Sequence, residues 1–105
     1  MTKIIDNAEA HRYEIYEGEI EDGAERAGLV EYHLHGNEIA FLHTEVDPKF
    51  AGKGLGSALA RHVLDDARRA GRAVLPYCPF IRDWIARHPE YVDLVPGSHR
   101  ERFQL

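Results

Sequence analysis

The stretch FAGKGLGSAL, residues 50–59, decides how the chain is to be read. Gly52, Gly54 and Gly56 stand two apart, and a helical pattern starts among them. Leu55, Leu59, Val63 and Ala67 recur every four residues, which gives a helix with one buried stripe. Arg68 and Arg69 in its last turn suit the negative end of the helix dipole, and Gly71 suits a left-handed stop. Glycine has no Cβ, so the backbone at the start of this helix can come close to a ligand, and first-turn amides have no partner inside a helix. With the dipole they form a site for phosphate, and Lys49 and Lys53 stand beside it. A tight connection that binds nothing explains the glycines equally well. Two common phosphate loops are excluded by spacing. A Walker loop requires Gly-Lys followed by Ser or Thr, whereas Lys53 is followed by Gly54, and the dinucleotide fingerprint GxGxxG is not GxGxG.

Upstream of the glycines the period is two. HRYEIYEG, 11–18, sets Tyr13 and Ile15 against Arg12, Glu14 and Tyr16. RAGLVEYHLH, 26–35, sets Val30, Tyr32 and Leu34 against Glu31, His33 and His35. The pair Gly36-Asn37 turns the chain into EIAFLHTEV, 38–46, so the second and third strands form a hairpin. That third strand is apolar on both faces as far as His43, the pattern of a strand inside the sheet. Downstream, RAVLPYC reads as a short buried strand and PFIRDWIARH as a helix with Phe80, Ile81, Trp84 and Ile85 inward. Pro89 ends that helix, and YVDLV, 91–95, reads as a last strand. The expected order is three antiparallel strands, helix, strand, helix, strand: an α+β fold, its sheet mixed but mostly antiparallel, with two helices packed on it.

At 105 residues the chain has room for one core, and residues 1–105 are expected to form a single domain. Thirteen basic and 18 acidic residues give a net charge of -5, which argues against a protein that tracks nucleic-acid phosphates. Much of the acid lies in EGEIEDGAE, residues 17–25, which favours cationic partners if it borders a site and is otherwise a solvated loop. The one cysteine, Cys78, has no partner for an intrachain disulfide. The start MTKIIDNAEA lacks the apolar core of a signal peptide, and no apolar run approaches the ~20 residues that cross a bilayer. A cytoplasmic protein away from membranes is expected. His33 and His35 share a strand face but have no visible third and fourth ligands, so no metal is expected.

The second chemical signal is PYCPFIRDWIARHPEY, 76–91. Proline is favoured at the first position of a helix, so Cys78, directly before Pro79, belongs at the N-cap. There the positive end of the dipole stabilises a thiolate. A small buried filler is the other reading of a lone cysteine. His43, in FLHTEV, offers an imidazole able to accept a proton near neutral pH, and Glu45 lies on the same face of an ideal strand.

Taken together, these stretches resemble the GNAT superfamily of acetyltransferases over about residues 11–95. The superfamily's pyrophosphate signature is Arg or Gln, two residues, Gly, one residue, then Gly or Ala. It aligns with Ala51-Gly52-Lys53-Gly54-Leu55-Gly56, the leading Arg or Gln being Ala51 here. The cysteine stretch is similar to that of a subgroup of short members, in which a cysteine near the acetyl-CoA thioester and a histidine at the end of the central strand are proposed to be catalytic. The resemblance implies a GNAT-like fold and acetyl-CoA as the donor. It implies that Ala51, Gly52, Lys53, Gly54, Leu55, Gly56 and Ser57 hold the pyrophosphate, that Thr44, Glu45 and Val46 pair with the pantetheine arm, and that Cys78 and His43 are catalytic. Two routes stay open. In one His43 takes the proton of Cys78 and the thiolate carries the acetyl group. In the other the amine attacks acetyl-CoA directly and Cys78 orients or protonates the departing thiol. Larger members place helices after the first strand, for which residues 18–26 leave no room, so the acceptor side should be open to a small amine or a protein tail. The competing reading is a module that binds CoA or acyl-CoA and signals to a protein partner without chemistry.

Overall fold

The computed structural model describes residues 2–18 and 23–105. Five strands form one sheet in the order of the chain: β1 (Thr2–Asn7), β2 (Arg12–Glu17), β3 (Glu25–His35), β4 (Glu38–Val46) and β5 (Ala73–Pro76). The first four pair antiparallel, and β4 pairs parallel with β5. The long helix α1 (Leu55–Arg69) is the crossover that a parallel β4–β5 pair requires. Helix α2 (Pro79–Arg87) follows β5, and a short α3 (Gly97–Arg100) precedes the C-terminus. This is the expected α+β arrangement. The segment YVDLV is not its last strand. Residues Pro89–Leu94 form a 3-10 helix, with proline at the start and Tyr91 and Leu94, three apart, buried on one side.

The strand β1 was not expected. Its sequence TKIIDN shows no alternation, because Ile4 packs on the helix side while the adjacent Ile5, on an edge strand with no further partner among the described residues, is 36% exposed. Its presence moves the first interstrand connection to the turn Ala8–Ala10, in place of residues 18–26. Residues 19–22 of the acidic segment lie outside the described part of the chain.

Both helices cover the same side of the sheet. Leu59, Val63 and Leu64 of α1 and Ile81, Trp84 and Ile85 of α2 are fully buried against Tyr13, Ile15, Val30, Ile39 and Phe41. Each such aliphatic side chain contributes about 1.5–3 kcal/mol of burial. Three tyrosine hydroxyls at the edge of this core are paired, whereas the buried Nε1 of Trp84 has no partner among the described residues. Tyr13 donates to Asp66 of α1 at 2.6 Å, Tyr32 donates to Asp6 at 2.6 Å, and Tyr91 donates to Asp65 at 2.7 Å.

One irregularity sets the geometry of the site. Across β3 and β4, Glu31 faces His43 and Tyr32 faces Phe41, which leaves Leu42 as an extra residue in β4. This β-bulge reverses the alternation of everything after it. Up to Phe41 the odd-numbered residues of β4 face the helices. Beyond the bulge Thr44 and Val46 do so, and His43 and Glu45 are exposed. The apolar run of β4 is therefore not buried on both faces, and Leu42 is 48% exposed.

Candidate acyl-CoA site

The three glycines of the opening motif serve two different ends. Gly52 and Gly54 have φ of 83° and 72°, a left-handed conformation that costs a residue with a Cβ about 1–2 kcal/mol. A Cβ built on either would meet nothing within 4 Å, so open space lies beside this backbone. Gly56 has no positive φ. Its place is fixed by packing, because a Cβ there would stand 2.9 Å from Cζ of Phe80. Gly54 is the N-cap of α1 and no side chain caps that terminus. Its first-turn amides, at Leu55, Gly56 and Ser57, are left for a ligand, at the positive end of a helix of 15 residues. A phosphate group fits this cradle, which needs open backbone and donors and no side chain from Ala51.

The lysines beside the cradle are not free charges. Lys49 Nζ lies 2.8 Å from Glu25, whose hydrogen bond raises the lysine above its ordinary range, and Lys53 Nζ lies 3.9 Å from Glu17. Both also sit over the ring of Phe50. The described ends of the acidic segment thus lie beside these lysines.

Beside Cys78 the pairing of β4 with β5 stops. The registered pairing of β4 with β5 ends at Phe41 and Pro76, and the amide of Cys78 makes one further bond, 2.8 Å, to the carbonyl of Phe41. Beyond that point β4 has only β3 as a registered neighbour among the described residues. Its other edge, from Leu42 to Val46, can pair with an extended polar chain, in keeping with the role expected of Thr44, Glu45 and Val46. Cys78 is the N-cap of α2, as its place before Pro79 predicted, and its side chain does not cap the helix. The free thiol is 2% exposed, with Sγ 3.1 Å from Oγ1 of Thr44.

The structure brings Thr44, not His43, to Cys78. Because of the bulge, His43 projects to the opposite face of β4 from Thr44. There its Nε2 lies 3.2 Å from Glu45, both side chains being more than half exposed. His43 and Glu45, the second candidate base, share a strand face as expected and are in contact there, and a hydrogen-bonded pair of His43 and Cys78 is not present. Alternation alone would have put His43 with Phe41 on the helix side, and the residue that undoes it, Leu42, is ordinary in sequence.

A cavity beside the end of β4 includes groups that the motif reading missed. A concave site of about 510 Å³ is lined by Arg26, Ala27, Gly28 and Leu29 of β3, Thr44, Glu45 and Val46 of β4, and Asp47 and Pro48. Next to Arg26, Glu14 is only 3% exposed. Burial pushes its carboxyl up, but hydrogen bonds from Arg12 at 2.6 Å, Tyr16 at 2.9 Å and Asn7 at 3.4 Å outweigh it and hold Glu14 below the usual carboxylate range. In the sequence Glu14 was visible only as part of the polar face it shares with Arg12 and Tyr16.

Comparison with known proteins bears on family and fold. The sequence model of the GCN5-related N-acetyl-transferase family matches residues 12–94. The solution NMR structure of a GCN5-like protein from Staphylococcus aureus superposes with a TM-score of 0.67 and 23% identity, over 90% of this chain and 88% of that one. At that identity the likeness concerns the fold. A search of curated proteins returns no match.

Proposed function

The chain belongs to the GCN5-related N-acetyltransferase family, and from that premise we propose that it transfers acetyl from acetyl-CoA to an amine, a small molecule or a protein tail. One observation supports the reading: an uncapped helix terminus behind a left-handed glycine turn follows a strand edge that has no registered partner among the described residues and whose Thr44 touches the lone thiol. Acetyl-CoA, when bound, supplies the acetyl group as an activated thioester. The amides at Leu55, Gly56 and Ser57 would hold its diphosphate, the turn from Ala51 to Gly54 would give that group room, and the edge Thr44–Val46 would align the pantetheine arm.

An alkylamine has a free pKa near ~10.4 and must lose a proton before it can attack. His43, steadied by Glu45, is the base for that step, on the face of the sheet where the acceptor can approach. Cys78, its sulfur held by Thr44, keeps or passes a proton at Sγ on the other face. Because the strand separates the two groups, we assign the direct route, with no acetyl-cysteine. Incubation with acetyl-CoA and mixed amines should yield acetylated amine with no added mass on the protein. A persistent gain of ~42 Da on Cys78 before acceptor is added would show covalent catalysis instead.

A non-catalytic module that binds acyl-CoA is the second reading, favoured by the burial of Cys78 and by Ala51 in place of Arg or Gln. Tight binding of CoA with no product from any amine would establish it.

A further inference from the structure

We infer that Phe80 is a positioning residue that fixes the distance between the diphosphate turn and Cys78, so that the chain measures the full pantetheine arm of its acyl donor. The inference rests on the acyl-CoA reading of the site. Two helices begin at the gap between β4 and β5. Helix α1 starts after Gly54 and α2 after Cys78, and neither N-terminus is capped by a side chain. The ring of Phe80, in the first turn of α2, lies against Gly56, in the first turn of α1. A Cβ on Gly56 would stand 2.9, 3.5 and 3.6 Å from three atoms of that ring and would meet no other atom that close.

This contact has a direct consequence. The family signature accepts Gly or Ala at the position of Gly56, whereas in this chain a methyl group there would have to displace the tip of the Phe80 ring. The ring is partly buried against the core and belongs to a helix anchored by the fully buried Ile81, Trp84 and Ile85. It therefore acts as a spacer between the amides that would hold the diphosphate and the N-cap that carries the thiol. A ligand that touches only the first terminus is indifferent to the spacer. One that must reach both is not.

The test compares acetyl-CoA with ADP, which has a diphosphate but no pantetheine arm, on wild type, Gly56→Ala, Phe80→Ala and the double variant. Binding is read by calorimetry for acetyl-CoA and by amide NMR shifts for ADP. Urea denaturation of the four proteins provides a double-mutant cycle without ligand. The methyl group should force the ring aside and weaken acetyl-CoA about tenfold, equivalent to about 1.4 kcal/mol. ADP, which touches only the first terminus, should lose less affinity than acetyl-CoA does. Phe80→Ala in the Gly56→Ala background should restore acetyl-CoA binding to that of Phe80→Ala alone, and the urea cycle should show coupling. Equal losses for both ligands, no loss for either, or no relief in the double variant would overturn the spacer role while leaving the acyl-CoA site standing. Failure of the wild type to bind acetyl-CoA would overturn both.

Discussion

Replacing Gly54 by alanine isolates the backbone requirement of the turn. At φ 72° and ψ 19° an alanine pays about 1–2 kcal/mol for the left-handed conformation. No steric cost is added, since its Cβ meets nothing within 4 Å. The smaller freedom of alanine in the unfolded chain returns about 0.4–1 kcal/mol. The net loss is about 1 kcal/mol, which for a domain of this size lowers Tm by about 5 °C. If the turn relaxes instead of bearing the strain, a ligand that needs the left-handed form must restore it, and about 1 kcal/mol becomes about a fivefold weaker Kd. Gly54→Asn should lose roughly half as much, because asparagine tolerates the left-handed region. Urea denaturation and calorimetric titration of acetyl-CoA measure the two terms. An alanine variant with wild-type Tm and wild-type affinity would refute the argument that this turn is held left-handed for its ligand.

Further outcomes follow from single contacts. Gly28→Ala would place a Cβ 2.6 Å from the carbonyl oxygen of Glu45, a backbone atom that cannot swing away, and should cost about 3 kcal/mol in urea denaturation, at the upper end of overpacking. Glu14→Gln should lose about 1–2 kcal/mol near neutral pH, measured against the wild type by denaturation at several pH values. The folded-state pKa of Glu14 is depressed, so its contribution is full above the unfolded carboxylate value of about 4.3 and fades as pH falls through the folded one. The two proteins should therefore converge in acid. His43→Gln should slow amine acetylation about 10²-fold at neutral pH, as loss of a general base does, and the deficit should shrink as pH rises towards that of the free amine, followed in a pH–rate profile. A deficit that stays constant with pH would remove His43 from that role.

The elements with strong period were legible in the sequence, and the departures from period were not. The four-residue recurrence of Leu55, Leu59, Val63 and Ala67 gave α1, and Pro79 placed Cys78 at a helix start, since both signals are local. Strand β1 was hidden because Ile4 and Ile5 are adjacent and the strand lies at an edge, where only one neighbour constrains it. The segment 91–95 read as a strand because a short apolar run does not distinguish a period of two from the three-residue spacing of Tyr91 and Leu94. For the site the decisive feature was the bulge at Leu42. One unpaired residue, invisible to alternation, sent His43 and Glu45 to one face and Thr44 to the other, against Cys78. The role of Gly56 was also out of reach, because its partner, Phe80, lies 24 positions away and only the packing of two helices brings them together.

The account depends most on where the acyl donor lies, and an amide-resolved NMR titration with acetyl-CoA tests that directly. The amides of Gly54 to Ser57 should shift first and most, followed by Thr44 to Val46 and then Cys78, with β1 and α3 unmoved. Saturable shifts confined to another surface, or no shifts at millimolar acetyl-CoA, would contradict it.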